Sequence, residues 1–273
     1  MPPCHDDRGM TVAGPGSPSP LGGHGILVTR PAARAVQLAA LIRAAGGDPV
    51  LFPTLEIISI TEKNSASIGV IKSNIINCDL LIFVSPTAVE HGLAPFRENW
   101  PATVSVAAVG AGTARLLRER GVDKVLAPDR GGDSEALVAL PQLQDVAGKH
   151  VMIFRGEGGR EWLADTLRSR GAQVEYAECY RRVCPDTDAG PLLSRWRAGG
   201  VAAVTVTSRQ ALDNLFAMLP DTAHALLRAT PLFAAHSRIA AHARTLGVVQ
   251  IVTTGPGDAA IVSGLQSFFA TLS

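Results

Sequence analysis

Two stretches of the chain decide its fold, because they repeat one pattern a domain's length apart. Residues 26–50 read ILVTRPAARAVQLAALIRAAGGDPV, and residues 151–174 read VMIFRGEGGREWLADTLRSRGAQV. Arg30 of the first stretch corresponds to Arg155 of the second, 125 positions later. Each stretch runs from a short apolar strand through a turn into a helical pattern that stops at glycine. The sequence therefore predicts one strand–helix unit that occurs twice.

Three further pairs of segments repeat in the same order, at offsets between 123 and 126 positions. They are LLIFVSPTAVEHGL at 80–93 with AVTVTSRQALDNLF at 203–216, VAAVGAGTARLLRERGV at 106–122 with LFAAHSRIAAHARTLGV at 232–248, and DRGGDSEALVAL at 129–140 with TGPGDAAIVSGL at 254–265. A repeat of this length is the size of a domain, unlike the short repeats of solenoid proteins. The pattern indicates a duplicated domain.

The repeated segments predict an α/β protein with parallel sheets. Their strands are almost continuously apolar and alternate with helices, which is typical of a parallel sheet covered on both faces. We therefore expect two doubly wound parallel-sheet domains of similar topology. In the first helix, the side predicted to be buried comprises Ala33, Val36, Leu38, Ala40 and Leu41, and Gly46 or Gly47 is expected to end the helix.

Length, charge and hydropathy exclude several classes of protein. The chain has 273 residues, of which 47% are apolar, enough for two buried cores. Its 25 basic and 24 acidic residues nearly cancel, which argues against a nucleic-acid or membrane-surface protein. No apolar run reaches the roughly 18–20 residues that a membrane span requires. A ligand held at a local site remains compatible with this balance.

Cysteine, histidine and the N-terminal composition point to a cytoplasmic protein without a metal. The four cysteines form no C-x-x-C pair and the seven histidines are scattered, so we predict free thiols in a reducing cytosol and no metal site. Residues 1–24 are rich in Pro, Gly and Ser and lack the apolar core of a signal peptide. They are predicted to be a disordered leader.

Turns at the carboxyl ends of the strands are the predicted ligand site, because helices in such sheets present their N-termini there. Small hydroxyl residues, glycines and several arginines occupy these turns, which suits a ligand with carboxylates or phosphates. The candidate binding residues are Arg30, Ser85, Thr87, Gly110, Thr113, Arg155, Gly156, Arg160, Ser208, His236, Ser237 and Arg238.

A purely structural explanation of these residues stays open. The hydroxyl residues could be ordinary helix caps, and Arg160, Arg209 and Arg238 could be solvated surface residues. Arg30 and Arg155 recur at equivalent positions and could mark a requirement of the shared fold. A dinucleotide site is not indicated, because the G-x-G at 110–112 lacks the third glycine of the motif.

Short motifs over residues 26–270 are similar, in order and spacing, to those of the uroporphyrinogen-III synthase family. They include TRP at 29–31, LFPTLE at 51–56, FVSPTAV at 83–89, AVGAGTA at 108–114, DSEAL at 133–137, RGEGGR at 155–160, YRRV at 180–183, TSRQAL at 207–212 and SRIAAHARTLG at 237–247. No single motif is diagnostic, but the complete series is fairly specific.

The resemblance implies a particular connection of the two domains. A two-stranded antiparallel connector would join them, and the chain would cross between them twice. One discontinuous domain would comprise residues 25–53 and 185–273, and the other, with the connector strands, residues 54–184. The sequence alone does not distinguish this exchanged arrangement from two consecutive domains.

The resemblance also implies the reaction. The substrate would be hydroxymethylbilane, a linear tetrapyrrole bearing carboxylates, which the enzyme would cyclise to uroporphyrinogen III with loss of water and inversion of ring D. No cofactor or metal is implied, and a monomer is expected. The competing hypothesis is a non-catalytic, two-lobed binding or regulatory protein for an anionic small molecule.

Individual positions take their expected roles from the same resemblance. Tyr180 matches a cleft tyrosine and is the candidate catalytic acid, with a connector packing role as the alternative. Thr113 and Ser237 match hydroxyl positions that face the family's cleft. His236 stands where glycine is frequent, so its side chain could supply an additional cation there.

Overall fold

The computed structural model describes residues 20–60, 74–93, 104–129 and 131–272. It divides into two compact units, of which the first comprises the chain up to Glu56 together with Cys184–Ser273 and the second Ile57–Val183. The sequence predicts these boundaries at residues 53–54 and 184–185. The first unit is discontinuous, so the chain passes from one unit to the other twice.

Strands and helices alternate along most of the described chain. The strands are β1 (Gly25–Val28), β2 (Asp48–Leu51), β3 (Glu56–Ser59), β4 (Leu80–Phe83), β5 (Ser105–Ala108), β6 (Val125–Leu126), β7 (His150–Gly156), β8 (Gln173–Val183), β9 (Ala203–Val206), β10 (Leu232–Ala234) and β11 (Ile251–Thr253). The helices are α1 (Ala32–Ala44), α2 (Pro86–Gly92), α3 (Ala111–Glu119), α4 (Ser134–Val138), α5 (Trp162–Ser169), α6 (Gly190–Arg197), α7 (Arg209–Met218), α8 (Asp221–Ala229), α9 (Ser237–Thr245) and α10 (Asp258–Ala270), with a 3-10 turn at Pro141–Leu143.

Both sheets have the same strand order when equivalent strands of the repeat are compared. Within the described residues, the first unit has the order β11-β10-β9-β1-β2 and the second β3-β8-β7-β4-β5-β6. Strand pairs β1–β2, β1–β9, β9–β10 and β10–β11 are parallel, as are β4–β5, β4–β7, β5–β6 and β7–β8. The predicted fold class, α/β with parallel sheets in two units, is confirmed.

The structure selects the exchanged arrangement of the two repeats. Strand β1 of the first repeat pairs with β9 of the second, with Ile26 opposite Ala203. Conversely, β4 of the first repeat pairs with β7 of the second, with Leu80 opposite Val151. Each sheet is therefore built from parts of both repeats. Strand β3 lies beside β8 at the edge of the second sheet, and the antiparallel connector stays a prediction.

The second sheet is covered on both faces, as its apolar strands predict. Alternate strand residues point to opposite faces. Phe83 and Phe154 belong to one buried cluster and stack with their ring centroids 4.4 Å apart. Ile82 and Ile153 belong to a second buried cluster, in which Leu163 of α5 also lies. The β-sheet thus separates two apolar layers and fixes where its carboxyl-end turns emerge.

Two expectations about the start of the chain need correction. The buried side of α1 comprises Ala35, Leu38, Ala39 and Ile42, whereas Val36 is 68% exposed. Leu21 is completely buried and its backbone N–H donates to the carbonyl of Ala45. The packed structure therefore includes part of the predicted leader 1–24, of which residues 1–19 lie outside the described residues.

Candidate functional site

The topology of each sheet defines a point at which ligands are expected to bind. In doubly wound sheets, a crevice opens at the carboxyl ends of two neighbouring strands whose connections lead in opposite directions. In the second unit these strands are β4 and β7, which are followed by Ser85 and by the turn after Gly156. In the first unit they are β1 and β9, which lead into Arg30 and Ser208.

Tyr180 lies beside this point in the second unit. It belongs to β8, and only 1% of its surface is exposed. Its hydroxyl oxygen lies 3.3 Å from Ser85 Oγ and accepts a hydrogen bond from Arg182 Nη2 at 3.2 Å. The phenol therefore has two polar neighbours, an arrangement that can hold a proton donor in one orientation.

A cavity of about 240 Å³ lies at the same place. Both apolar and polar residues line it, and several of them come from the glycine-rich turn after β7. Its lining comprises Val84, Ser134, Ile153, Arg155, Gly156, Glu157, Gly158, Gly159, Arg160, Leu163, Ala164, Tyr176, Tyr180 and Arg182. Of the sequence-predicted residues, the cavity brings together Tyr180, Arg155, Gly156 and Arg160.

The two predicted arginines of this turn have different environments. The side chain of Arg155 is 7% exposed and lies 2.9 Å from Glu161. That of Arg160 is 72% exposed and pairs with Glu135 at 2.8 Å. Because an exposed ion pair contributes little free energy, Arg160 can exchange its carboxylate for one on a ligand. Arg155 is already enclosed by groups of its own unit.

Three other predicted residues of the second unit start the neighbouring helices. Thr87 is half-buried in the first turn of α2, Gly110 precedes α3 as its N-cap, and Thr113 lies in the first turn of α3 with 4% exposure. None of the three is among the residues that line the cavity at Tyr180.

In the first unit, a second cavity of about 680 Å³ lies along the starts of α7 and α9. It is lined by Thr207, Ser208, Arg209, His236, Arg238, Ile239, Ala241, His242 and Thr245. His236, Ser237 and Arg238 are exposed at the start of α9, and His242 Nε2 pairs with Asp213. The cationic side chains here suit an anionic ligand, and His242 is a lining residue that the sequence analysis did not single out.

Arg30 is paired within its own unit. Its guanidinium forms an ion pair with Asp258, the first residue of α10, and the two side chains are 16% and 13% exposed. Arg30 and Arg155 are thus both matched by carboxylates of the unit to which they belong. This observation favours a structural role for both arginines over contact with a ligand.

Helix caps account for two of the predicted hydroxyl residues. Ser85 accepts from the N–H of Ala88, and Ser208 accepts from the N–H of Ala211. Thr87, Thr113 and Ser237 lie inside the first turns of their helices rather than at the capping position. The positions of Ser85 and Ser208 are equivalent in the repeat, so the two copies share one capping device.

Arg182 is the functional candidate that sequence reasoning missed. It belongs to the YRRV segment, and alternation along β8 places it on the same side as Tyr180. The sequence could have indicated Arg182, because a residue two positions from a candidate acid on a strand lies on the same side as that acid. Its guanidinium lies 5.6 Å from the centroid of the Tyr180 ring.

No group of three or more His, Cys, Asp or Glu side chains is arranged to hold a metal ion in the part of the chain that the structure describes. Among the described helices, none has the length and apolar character to cross a membrane.

Comparison with known proteins gives one consistent family. The family model for uroporphyrinogen-III synthase HemD matches residues 36–263. The uroporphyrinogen-III synthase of Salmonella typhimurium is 34% identical over 249 residues, which cover 88% of this chain and 99% of that protein. That of Escherichia coli is 34% identical over 252 residues, with the same coverage of each chain.

Solved structures share the fold. A mutant uroporphyrinogen III synthase from Thermus thermophilus has a TM-score of 0.61 at 21% identity and covers 91% of this chain and 98% of its own. Uroporphyrinogen-III synthetase from Helicobacter pylori has a TM-score of 0.57 at 13% identity, with coverage of 92% and 99%. Since the family model spans most of the chain and the sequence relatives match over nearly their full length, this chain belongs to the uroporphyrinogen-III synthase family.

Proposed function

We propose that the chain is a uroporphyrinogen-III synthase, a cyclising lyase of tetrapyrrole biosynthesis. Its substrate is hydroxymethylbilane, which it converts to uroporphyrinogen III by loss of water, inversion of ring D and ring closure. Membership of the family over most of the chain is the observation that carries this function. The cavity beside Tyr180 supports it with a site of suitable chemistry.

Loss of the terminal hydroxyl is the step for which a proton donor is needed. As the carbon–oxygen bond breaks, the electron pair leaves with the oxygen, and a proton delivered to that oxygen lets it depart as water. Tyr180 is the proposed donor, because a phenol carries an O–H that can donate and this one has two polar neighbours. Ring closure later releases a proton, which restores the phenol.

The second task of the enzyme is to hold the flexible substrate in the conformation that closes through the inverted ring. Such control comes from many contacts rather than from one catalytic group. The residues proposed to contact the carboxylates and the pyrrole rings of the substrate are Ser85, Thr87, Gly110, Thr113, Gly156, Arg160, Ser208, His236, Ser237 and Arg238. Their chemistry supports the proposal, since hydroxyl groups, helix N-termini and cations all bind anions.

Free thiols support a cytoplasmic location. Cys179 is buried, Cys78 is half-buried and Cys184 is exposed, and all three are unpaired. Such cysteines persist in reducing compartments. We further propose that the protein acts as a monomer, which size-exclusion chromatography with light scattering would test.

The function is tested by supplying hydroxymethylbilane to the purified chain. Chromatography then separates the type III product from the type I product, which the substrate forms without an enzyme. An excess of type III over the enzyme-free control is expected. Formation of type I alone, at the spontaneous rate, would contradict the proposed function and favour a non-catalytic binding protein.

A further inference from the structure

Arg155 has four polar partners within its own unit. Its Nε donates to the carbonyl oxygens of Gly156 at 3.2 Å and Gly158 at 3.1 Å. Its Nη1 donates to Glu161 Oε1 at 2.9 Å. Glu178 Oε1 lies 3.9 Å from Nε. The guanidinium therefore ties both ends of one turn to the strand that precedes it.

An aromatic ring and a shared carboxylate complete this arrangement. The guanidinium carbon of Arg155 lies 4.3 Å from the centroid of the Tyr176 ring, a distance at which a cation and a ring attract each other. The Tyr176 hydroxyl donates to the second oxygen of Glu161. Hydrogen bonds from Tyr176 and Arg155 lower the pKa of Glu161, so this carboxylate stays charged beside the guanidinium.

The turn that Arg155 holds lies directly against Tyr180. A Cβ atom added to Gly156 would be 2.7 Å from two ring carbons of Tyr180, so the ring packs on the bare backbone. The next residue, Glu157, donates its backbone N–H to the carbonyl oxygen of Tyr180 at 2.7 Å. A displacement of the turn would therefore displace the phenol.

We infer that Arg155 is a positioning residue for Tyr180, acting by fixing the glycine turn 156–159, and that it does not bind the substrate. The inference rests on the proposed function, since it assigns Arg155 a role in that reaction. Glu161 and Glu178 neutralise the charge of Arg155, whereas the exposed Arg160, which follows this turn, pairs with the exposed Glu135. The two neighbouring arginines thus have different tasks.

The decisive variant is Arg155→Lys, which keeps the charge but removes the planar fork that bonds to several oxygens at once. We expect kcat for type III formation to fall by about threefold or more, because small misplacements of a catalytic group are costly, while KM changes by less than about twofold. Arg160→Gln is expected to show the opposite pattern, a raised KM with a smaller change in kcat.

A double-mutant cycle separates positioning from general destabilisation. If Arg155 acts through Tyr180, then Arg155→Lys adds little to the loss in a Tyr180→Phe background, because both changes remove the same contribution. The matched control is Arg195→Lys, since Arg195 likewise bonds a glycine carbonyl and pairs with a carboxylate, but at the amino-end side of β2 and β9. That control is expected to keep both kinetic constants.

Several results would overturn the inference. They are a raised KM with unchanged kcat in Arg155→Lys, or additive losses in the double variant. If circular dichroism shows that Arg155→Lys does not fold, Glu161→Ala replaces it as the test, because it removes the ion pair that holds Arg155. Glu161→Ala must then lower kcat without raising KM. If the wild-type chain forms only type I product, the proposed function fails. The positioning role is then tested by crystal structures of the wild type and Arg155→Lys. An unchanged position of the turn and of the Tyr180 ring in the variant would refute it.

Discussion

Tyr180 combines nearly complete burial with two polar neighbours at its oxygen. Its hydroxyl lies 3.3 Å from Ser85 Oγ, and Arg182 donates to it. Because Arg182 donates a hydrogen bond to the phenol oxygen, the O–H of the phenol can point toward Ser85 or toward a ligand in the cavity. With Arg182 as a donor to its oxygen, Tyr180 can use its own O–H to donate a second hydrogen bond.

Tyr180→Phe is expected to lower the rate of type III formation several-fold without unfolding the protein. The ring still fills its buried place, but no proton is available for the leaving oxygen. The rate is measured by chromatography of the products and the fold by circular dichroism. Full activity of the folded variant would remove Tyr180 from the mechanism.

Arg182→Gln is expected to lower kcat by about tenfold or more, since a hydrogen bond to a charged group is worth about 1.5–3 kcal/mol. Negative charge develops on the phenol oxygen as its proton leaves, and the guanidinium stabilises that charge. Arg182→Lys should retain part of the activity because the cation remains. Arg181→Gln is the control, as its side chain leaves β8 on the opposite side. Equal losses at both positions would contradict the role of Arg182.

At the scale of elements, the two copies of the repeat begin their helices in the same way. Ser85 caps α2 in the second unit, and Ser208 caps α7 in the first. The sequence left a capping role open for these serines, because Ser and Thr are favoured where a helix begins. It does not distinguish them from Thr87 or Ser237, which lie one or more residues farther along.

Ser208→Ala is expected to lower the free energy of unfolding by about 1 kcal/mol. Ser208→Gly is expected to lower it by only about a few tenths of a kcal/mol. The reason is the lost acceptor for the Ala211 N–H at the start of α7. Chemical denaturation by urea measures both. Ser237→Ala is the matched control, because Ser237 lies inside the first turn of α9, and its substitution should change stability by less than about 0.5 kcal/mol. Equal effects at the two serines would contradict the capping assignment.

Helix α1 shows why the sequence predicted an element but not its orientation. Its sequence is apolar nearly all round, so the 3.6-residue period gives no sharp choice of face. Tertiary packing decides instead: Leu38 and Ile42 face the core, and Val36 is left exposed. Leu21 was misassigned for a related reason, since a single apolar residue among glycines and prolines carries no periodic signal.

At the scale of the molecule, the repeat predicts two similar sheets but not which segments share a sheet. Consecutive and exchanged domains have identical sequence offsets, because either arrangement pairs equivalent strands. Only the pairing of β1 with β9 and of β4 with β7 distinguishes them. The candidate site depends on this choice, since β4 and β7 come from different repeats and together bring Ser85 and Gly156 to Tyr180.

The equivalent arginines show the same limit for individual contacts. Arg30 and Arg155 occupy matching positions, yet Arg30 pairs with Asp258 and Arg155 with Glu161 and Glu178. The repeat-equivalent of Asp258 is Asp133, which caps α4 instead. A sequence pattern therefore locates a charge, whereas its partner depends on side chains that diverged after duplication.

The whole protein is expected to become less stable at alkaline pH because of two thiols in the second unit. Burial raises the pKa of Cys179 from its ordinary value of 9.0 to about 12, and burial together with Glu175 and Asp79 raises that of Cys78 to about 11. Above pH 9 the unfolded chain releases these protons while the folded chain keeps them. Between pH 9 and its folded-state pKa, the buried Cys179 thiol lowers the free energy of unfolding by about 1.4 kcal/mol per pH unit. The half-exposed Cys78 contributes less, because water screens its charge.

Thermal unfolding followed between pH 8 and about 10.5 tests this linkage. Cys179→Ala is expected to weaken the pH dependence of the midpoint, because it removes the thiol with the larger shift, although it also leaves a small void at pH 8. Cys184→Ser is the control, since Cys184 is exposed and its replacement should leave the slope with pH unchanged. The comparison must use slopes rather than absolute midpoints, because a void lowers stability equally at every pH. Parallel curves for the wild type and Cys179→Ala would show that this buried thiol does not cause the alkaline loss of stability.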